Sequence, residues 1–308
     1  MHRYLLAILS VLILTEAFAQ KMEKVFLDKS DTTRNYYTII YPASPPWKGY
    51  LFLVPGFGET AEDVLIQTNL PIETAKRGIL TIIPTFQDGV SSFGFDSLSQ
   101  QTFNRIIDHV KSNHKLQDLE YYLGGFSMGG STVIKFAETV DKKPKAVFAI
   151  DSPLDFERFY NATKRDIILF GKDSPDQENI YLYLVSRIEQ IMGGTPQTAL
   201  ENYHKTSPYS LSDTKQSAIK GLLNIPIRIY IEPDIQWWLN ERKTDVSGLN
   251  IVDCSAIINE LNRLGNNNAT LIITQNKGYR QPDNQRHPHS WSIVDSDELV
   301  EWLLRTSR

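Results

Sequence analysis

The feature that most constrains this chain is a repeated alternation. Short apolar runs closed by proline or glycine alternate with stretches whose apolar residues recur at helical spacing. Asn35 to Tyr41 is rich in aromatic and β-branched residues and reads as an early strand, and Leu51-Phe52-Leu53-Val54 ends at Pro55-Gly56 as a buried strand does. Pro71 and Gly78 bracket a helix over Ile72 to Arg77, and Ile79 to Ile83 is the next buried strand. Phe103, Ile106, Ile107 and Val110 lie on one helical face. Tyr121-Tyr122-Leu123 runs into a glycine-rich turn, Met128 to Val140 is helical, and Ala146 to Ile150 is again a strand. Strands separated by helices predict βα units and a largely parallel sheet, an α/β fold. The alternation stops over about 155–222, which carry helical and loop signals and predict an insertion over one end of the sheet. It resumes with the strand Ile227 to Ile231, a helix from about Asp253 to Leu264, the strand Leu271 to Ile273, and a last helix from near Ser296.

The first residues read as an address and not as fold. A short basic start, the apolar run Leu5 to Leu14 and Ala17-Phe18-Ala19 together form a cleavable signal peptide over 1–19, with cleavage expected after Ala19. The apolar run falls well short of the roughly twenty residues needed to cross a membrane, so no membrane span is expected once the signal is removed. Residues 20–308 are then expected to be one secreted or periplasmic domain. A net charge of −4 offers no general attraction to nucleic acid. Cys254 is the only cysteine, which excludes an intramolecular disulfide and weakly favours a bacterial envelope; its apolar surroundings predict a packing role. Asn161-Ala162-Thr163 and Asn268-Ala269-Thr270 match the glycosylation sequon.

Chemistry centres on Gly125-Phe126-Ser127-Met128-Gly129. A serine hydroxyl attacks well only when it is exposed, held and bonded to a base. A sharp strand-to-helix turn supplies the exposure, and its crowding calls for glycine on both sides, making Ser127 the candidate nucleophile. The helix start behind it also favours developing negative charge. Val54-Pro55-Gly56-Phe57-Gly58 ends an earlier strand, so the backbone N–H groups of Phe57 and Met128 are the expected oxyanion donors. Gly56-x-Gly58-x-x-Ala61 also imitates a dinucleotide fingerprint, but the next strand ends Ile83-Pro84-Thr85 without the required carboxylate. No cofactor is expected, and no His-Glu-x-x-His spacing suggests a metal.

For the base, His287 and His289 both lie between the last strand and the last helix, and His289 is preferred because Ser290-Trp291 leads into that helix. For the acid, Asp234 follows the strand ending at Ile231 and gives the chain order Ser, Asp, His. Asp151, directly after Ile150, is its rival, and Glu232 is a third option. Trp237 and Trp238 are candidate substrate contacts, with core packing equally open.

Through these segments the chain resembles the α/β-hydrolase superfamily over all but the insertion. The resemblance implies a mostly parallel eight-stranded sheet flanked by helices, a helical cap, and a Ser-His-Asp triad. Many relatives have histidine where Pro55 stands and glycine where Ile231 stands. Tyr203 to Pro208 is similar to a segment of the prolyl-oligopeptidase-like branch. The expected activity is hydrolysis of a carboxylic ester through an acyl-enzyme, on a small ester or short peptide substrate. A serine peptidase and a non-catalytic binding protein on the same fold are the alternatives.

Overall fold

A computed structural model describes residues 21–170 and 175–306. The expected signal peptide lies outside the described residues. Eight strands form one sheet in the order β1-β2-β4-β3-β5-β6-β7-β8. In chain order they are β1 (Met22–Phe26), β2 (Tyr36–Ile40), β3 (Gly49–Val54), β4 (Ile79–Thr85), β5 (Tyr121–Phe126), β6 (Ala146–Ile150), β7 (Ile227–Ile231) and β8 (Ala269–Ile273). From β4 through β3 to β8 every neighbour is parallel, and β2 runs against both β4 and β1. The sheet is therefore the mostly parallel, eight-stranded one that the alternation and the resemblance implied.

Burial on both faces explains why the central strands read as unbroken apolar runs. Tyr50, Phe52 and Val54 of β3 face one core, and Leu51 and Leu53 face the other. The first core is closed by α3 (Ser97–His114), α4 (Met128–Thr139) and α9 (Ile251–Arg263), whose inward rows include Phe103, Val133 and Ile257. Cys254 of α9 is buried there, its Sγ 3.4 Å from the Ser152 carbonyl, and burial raises its thiol pKa far above the usual range. The second core is closed by α1 (Ala61–Gln67), α2 (Leu70–Lys76) and α10 (Ser296–Thr306), through Val64, Leu70 and Leu303.

Between β6 and β7 lie α5 (Phe156–Phe170), α6 (Pro175–Met192) and α7 (Pro196–Thr206), with no strand among the described residues. Phe156, Tyr160, Ile188 and Tyr203 from these helices join Phe93, Phe95 and Met128 in a third apolar cluster. Met128 opens α4, so this cluster sits over the end of the sheet at which the parallel strands finish. After β7 come α8 (Ile235–Arg242) and α9, and after β8 a small antiparallel pair, β9 (Tyr279–Arg280) and β10 (Gln285–Arg286). This pair delivers His287 and His289 to the same end of the sheet.

Candidate active site

Ser127 and Asp151 occupy equivalent places at the ends of adjacent strands. Ser127 is the first residue beyond β5, and its N–H donates to the Ile150 carbonyl at 2.8 Å. Asp151 is the first beyond β6, and its N–H donates to the Tyr230 carbonyl, also at 2.8 Å. Both then turn out of the sheet in a conformation with positive φ, 52° at Ser127 and 45° at Asp151. Strain of this kind in non-glycine residues costs on the order of 1–3 kcal/mol each and concentrates at functional sites. The glycines around Ser127 have a steric reason: a Cβ on Gly125 would collide with the backbone of Gly129, and one on Gly129 with the carbonyls of Val54 and Pro55. The Ser127 side chain makes no capping bond to its helix, so the plain role of a helix-capping serine does not describe it.

His289 is held on three sides. Its Nδ1 donates to Asp151 Oδ2 at 2.9 Å. The ring lies 4.5 Å from that of Phe126, the residue before Ser127, and Phe126 packs in turn on Trp291 at 5.1 Å. Its carbonyl accepts from Arg280 Nε and Nη2 at 3.2 and 2.9 Å. With Nδ1 committed to the carboxylate, Nε2 is the nitrogen left to exchange a proton. Asn250 fixes the carboxylate from the far side: its Nδ2 donates to Asp151 Oδ1 and to the Asp151 carbonyl, each at 2.9 Å.

The expected acid, Asp234, does not meet the histidine. It caps α8 by accepting from the Trp237 N–H at 3.1 Å and pairs with Arg286 at 2.7 Å. Glu232 is taken by the same Arg286 at 2.6 Å and by the N–H of Lys277 at 2.9 Å. The reason is local: Arg286, at the end of β10, faces the turn after β7 and draws both carboxylates. The carboxylate on His289 is Asp151, one strand closer to the nucleophile turn.

His287 has a different surrounding. Its ring lies 4.8 Å from Trp237 and 5.8 Å from Trp238, and its Nδ1 is buried without a hydrogen-bond partner. Burial, then the charges of Arg280, His289 and Arg242, push its pKa down to about 2. A ring that stays neutral at every working pH, with no carboxylate on it, is a poor general base.

Upstream, the turn after β3 is braced by Glu59. One oxygen accepts from the Gly56 N–H at 2.7 Å, and both accept from Trp291 Nε1 at 3.1 Å. Burial raises the Glu59 pKa, while these donors and the nearby His289 and Arg280 oppose the rise. The Gly58 N–H donates to Val90 and the Glu59 N–H to Gly56. Among the described residues the N–H groups of Phe57 and Met128 have no hydrogen-bond partner.

Phe57, Ser127, Met128, Asp151, His287 and His289 all line one cavity of about 700 Å³, roofed by α5 and α6 through Phe159 and Leu184. Trp238 lines it as well, whereas Trp237 packs edge-on to Trp238 and covers His287. Residue reasoning singled out Ser127, Phe57, Met128, His289 and the rival Asp151. It missed Glu59, Asn250, Arg280 and Phe126. Glu59 had one readable signal, its place three residues after Gly56.

No protein-family model matches the chain, and no curated protein sequence matches it. Solved structures do. A substrate-bound fluorophosphonate-binding serine hydrolase of Staphylococcus aureus aligns with a TM-score of 0.56 at 14% identity, over 92% of this chain and 98% of that one. An esterase of Pyrococcus furiosus aligns at 0.54 and 13% identity, over 93% and 92%. Acylaminoacyl peptidase of Pyrococcus horikoshii aligns at 0.58 and 12% identity, over 96% of this chain but 42% of its own. The eight-stranded, mostly parallel sheet with its flanking helices is an α/β-hydrolase fold.

Proposed function

We propose that this chain is a serine hydrolase that cleaves a carboxylic ester through an acyl-enzyme. The observation that carries the reading is the bond from His289 Nδ1 to Asp151 Oδ2 at 2.9 Å, with the ring packed on Phe126 beside the strained Ser127 turn in a shared cavity. His289 Nε2 takes the Ser127 proton as Oγ attacks the ester carbonyl, and Asp151 steadies the imidazolium that forms. The N–H groups of Phe57 and Met128 receive the oxyanion, and the nearby start of α4 adds a favourable dipole. His289 then protonates the departing alcohol. Water, deprotonated by the same nitrogen, releases the acid and restores Ser127. The names of similar structures, a fluorophosphonate-binding serine hydrolase and an esterase, agree with this reading.

Asn250 and Glu59 act as positioning residues, the first on the Asp151 carboxylate and the second on the oxyanion turn. The signal at 1–19 further supports export, with a mature chain beginning at Gln20; N-terminal sequencing of protein recovered from outside the cytoplasm tests this. A fluorophosphonate probe read by intact mass tests the activity. One adduct on wild type and none on Ser127→Ala is the expected pair of results. An unlabelled wild type, or equal labelling of the variant, would remove the serine-nucleophile reading.

A further inference from the structure

The charges lining the cavity do not balance. Asp151, Asp166 and Glu232 reach it, and each already has a partner: His289, Thr244 with Arg165, and Arg286. Arg242 and Arg280 reach it too, and among the described residues neither has a carboxylate within the 4.0 Å of an ion pair. Arg280 spends two donors on the His289 carbonyl, which leaves others of its guanidinium free. Arg242 lies over the Trp237 ring at 5.9 Å, and that ring covers His287, whose buried Nδ1 also lacks a partner.

These groups feel one another. Burial lowers the Arg280 pKa and the charge of Arg242 lowers it further, against the pull of Glu59. Cations drawn together in a partly desolvated pocket, neither of them held in an ion pair, form a site that an anion would relieve. The cluster also has a definite side. Arg280 grips the carbonyl of His289, and the charges of Arg280 and Arg242 both bear on His287 two residues away, so the positive charge gathers on the histidine side of the cavity. In acyl transfer the leaving group departs towards the histidine that protonates it.

We propose that the cavity takes esters whose alcohol portion carries an oxyanion group, a carboxylate or sulfonate, held by Arg242 and Arg280. The inference rests on Ser127 being the nucleophile. Hydrolysis consumes one water and yields the acid and the alcohol, and the anionic group takes no part in the bond exchange. A guanidinium fork matches two oxygens of a carboxylate or sulfonate, and a charge-assisted bond of this kind favours the charged ester by about tenfold or more.

The test compares kcat/KM for para-acetoxybenzoate and para-acetoxybenzenesulfonate with that for neutral para-acetoxybenzamide. Wild type is expected to prefer at least one anionic ester by about tenfold or more. Arg242→Gln is expected to bring the ratio close to one, and Arg242→Glu to invert it. Arg242 is exposed on α8, and circular dichroism checks that both variants keep the fold. A wild type indifferent to the charge, or a preference that survives in Arg242→Gln, overturns the proposal. Ser127→Ala on the neutral ester separates the two readings. Turnover that persists in that variant, or no wild-type turnover of any of the three esters, overturns the serine hydrolase itself. Ser127-dependent turnover without charge preference overturns the anionic subsite alone.

Discussion

Exchanging Asp151 for asparagine isolates what the carboxylate does, because the shape of the side chain is kept. Its two oxygens have different partners: Oδ1 accepts from Asn250 Nδ2 and Oδ2 accepts from His289 Nδ1, each at 2.9 Å. Asn250 is a donor at this contact, so in Asp151→Asn the amide oxygen must face it and the amide NH2 must face His289. A donor opposite Nδ1 selects the tautomer with Nδ1 bare and Nε2 protonated. That tautomer cannot take the Ser127 proton. Reversal of the tautomer in a Ser-His-Asp arrangement costs about 10⁴-fold in kcat. At about 1.36 kcal/mol per tenfold, this is about 5.4 kcal/mol of transition-state stabilisation. Steady-state hydrolysis of para-nitrophenyl acetate reads kcat, and thermal unfolding reports whether the fold persists. Asp234→Asn serves as the contrast, because Asp234 caps α8 and pairs with Arg286 and should change kcat by less than about tenfold. An Asp151→Asn enzyme within tenfold of wild type, or an Asp234→Asn enzyme that loses a thousandfold, would refute the assignment of the acid.

Other outcomes follow from neighbouring contacts. Glu59→Ala removes the brace between Gly56 and Trp291; it should lower kcat by about 10- to 100-fold and stability by about 1–3 kcal/mol, read by ester kinetics and urea unfolding. Gly129→Ala should destabilise by at least about 1–3 kcal/mol, because its Cβ would drive into the Val54 and Pro55 carbonyls; an unchanged melting temperature would refute that packing. His287 has a folded pKa depressed by burial to about 2, so the unfolded chain binds the extra proton as pH falls below about 6.5. Its neutral form therefore stabilises the fold above that pH, and the contribution is lost on acidification; melting temperatures of His287→Gln should fall less steeply with acid than those of wild type. Glu138 runs the other way. Burial raises its pKa to about 8, so its contribution is present at low pH and lost as pH rises from about 4.5 to 8, and Glu138→Gln should flatten the melting curve across that interval.

The fold was readable because a parallel sheet buried on both faces writes itself as short apolar runs. β6 and β7 were placed at their observed bounds, and α4 ended within one residue of its observed end. The edge strand β1 was not readable. Met22-Glu23-Lys24 is exposed and only Val25 packs against the first core, so its composition carries no strand period. Helices α1 and α8 were also missed, each too short for a clear helical stripe; the capping pair Thr60 and Asp63 was the one available sign of α1.

At the site, local chemistry was legible and partnership was not. Ser127 announced itself because crowding forces glycines into the positions two residues before and after it. Asp151 and Asp234 both follow apolar strands, and only the side on which Arg286 and Asn250 lie decides which of them is free for His289. Those partners come from β10 and the approach to α9, more than fifty residues away from either acid in the case of Arg286, and no local pattern records them.

The most direct test of the account is to trap the intermediate. Wild-type enzyme mixed briefly with para-nitrophenyl acetate, quenched in acid and mapped by peptide mass should carry an acetyl group on Ser127. The group should be absent from Ser127→Ala, and in Asp151→Asn it should form slowly. Undiminished ester turnover by Ser127→Ala, with no acetyl group on the wild-type serine, would contradict the account.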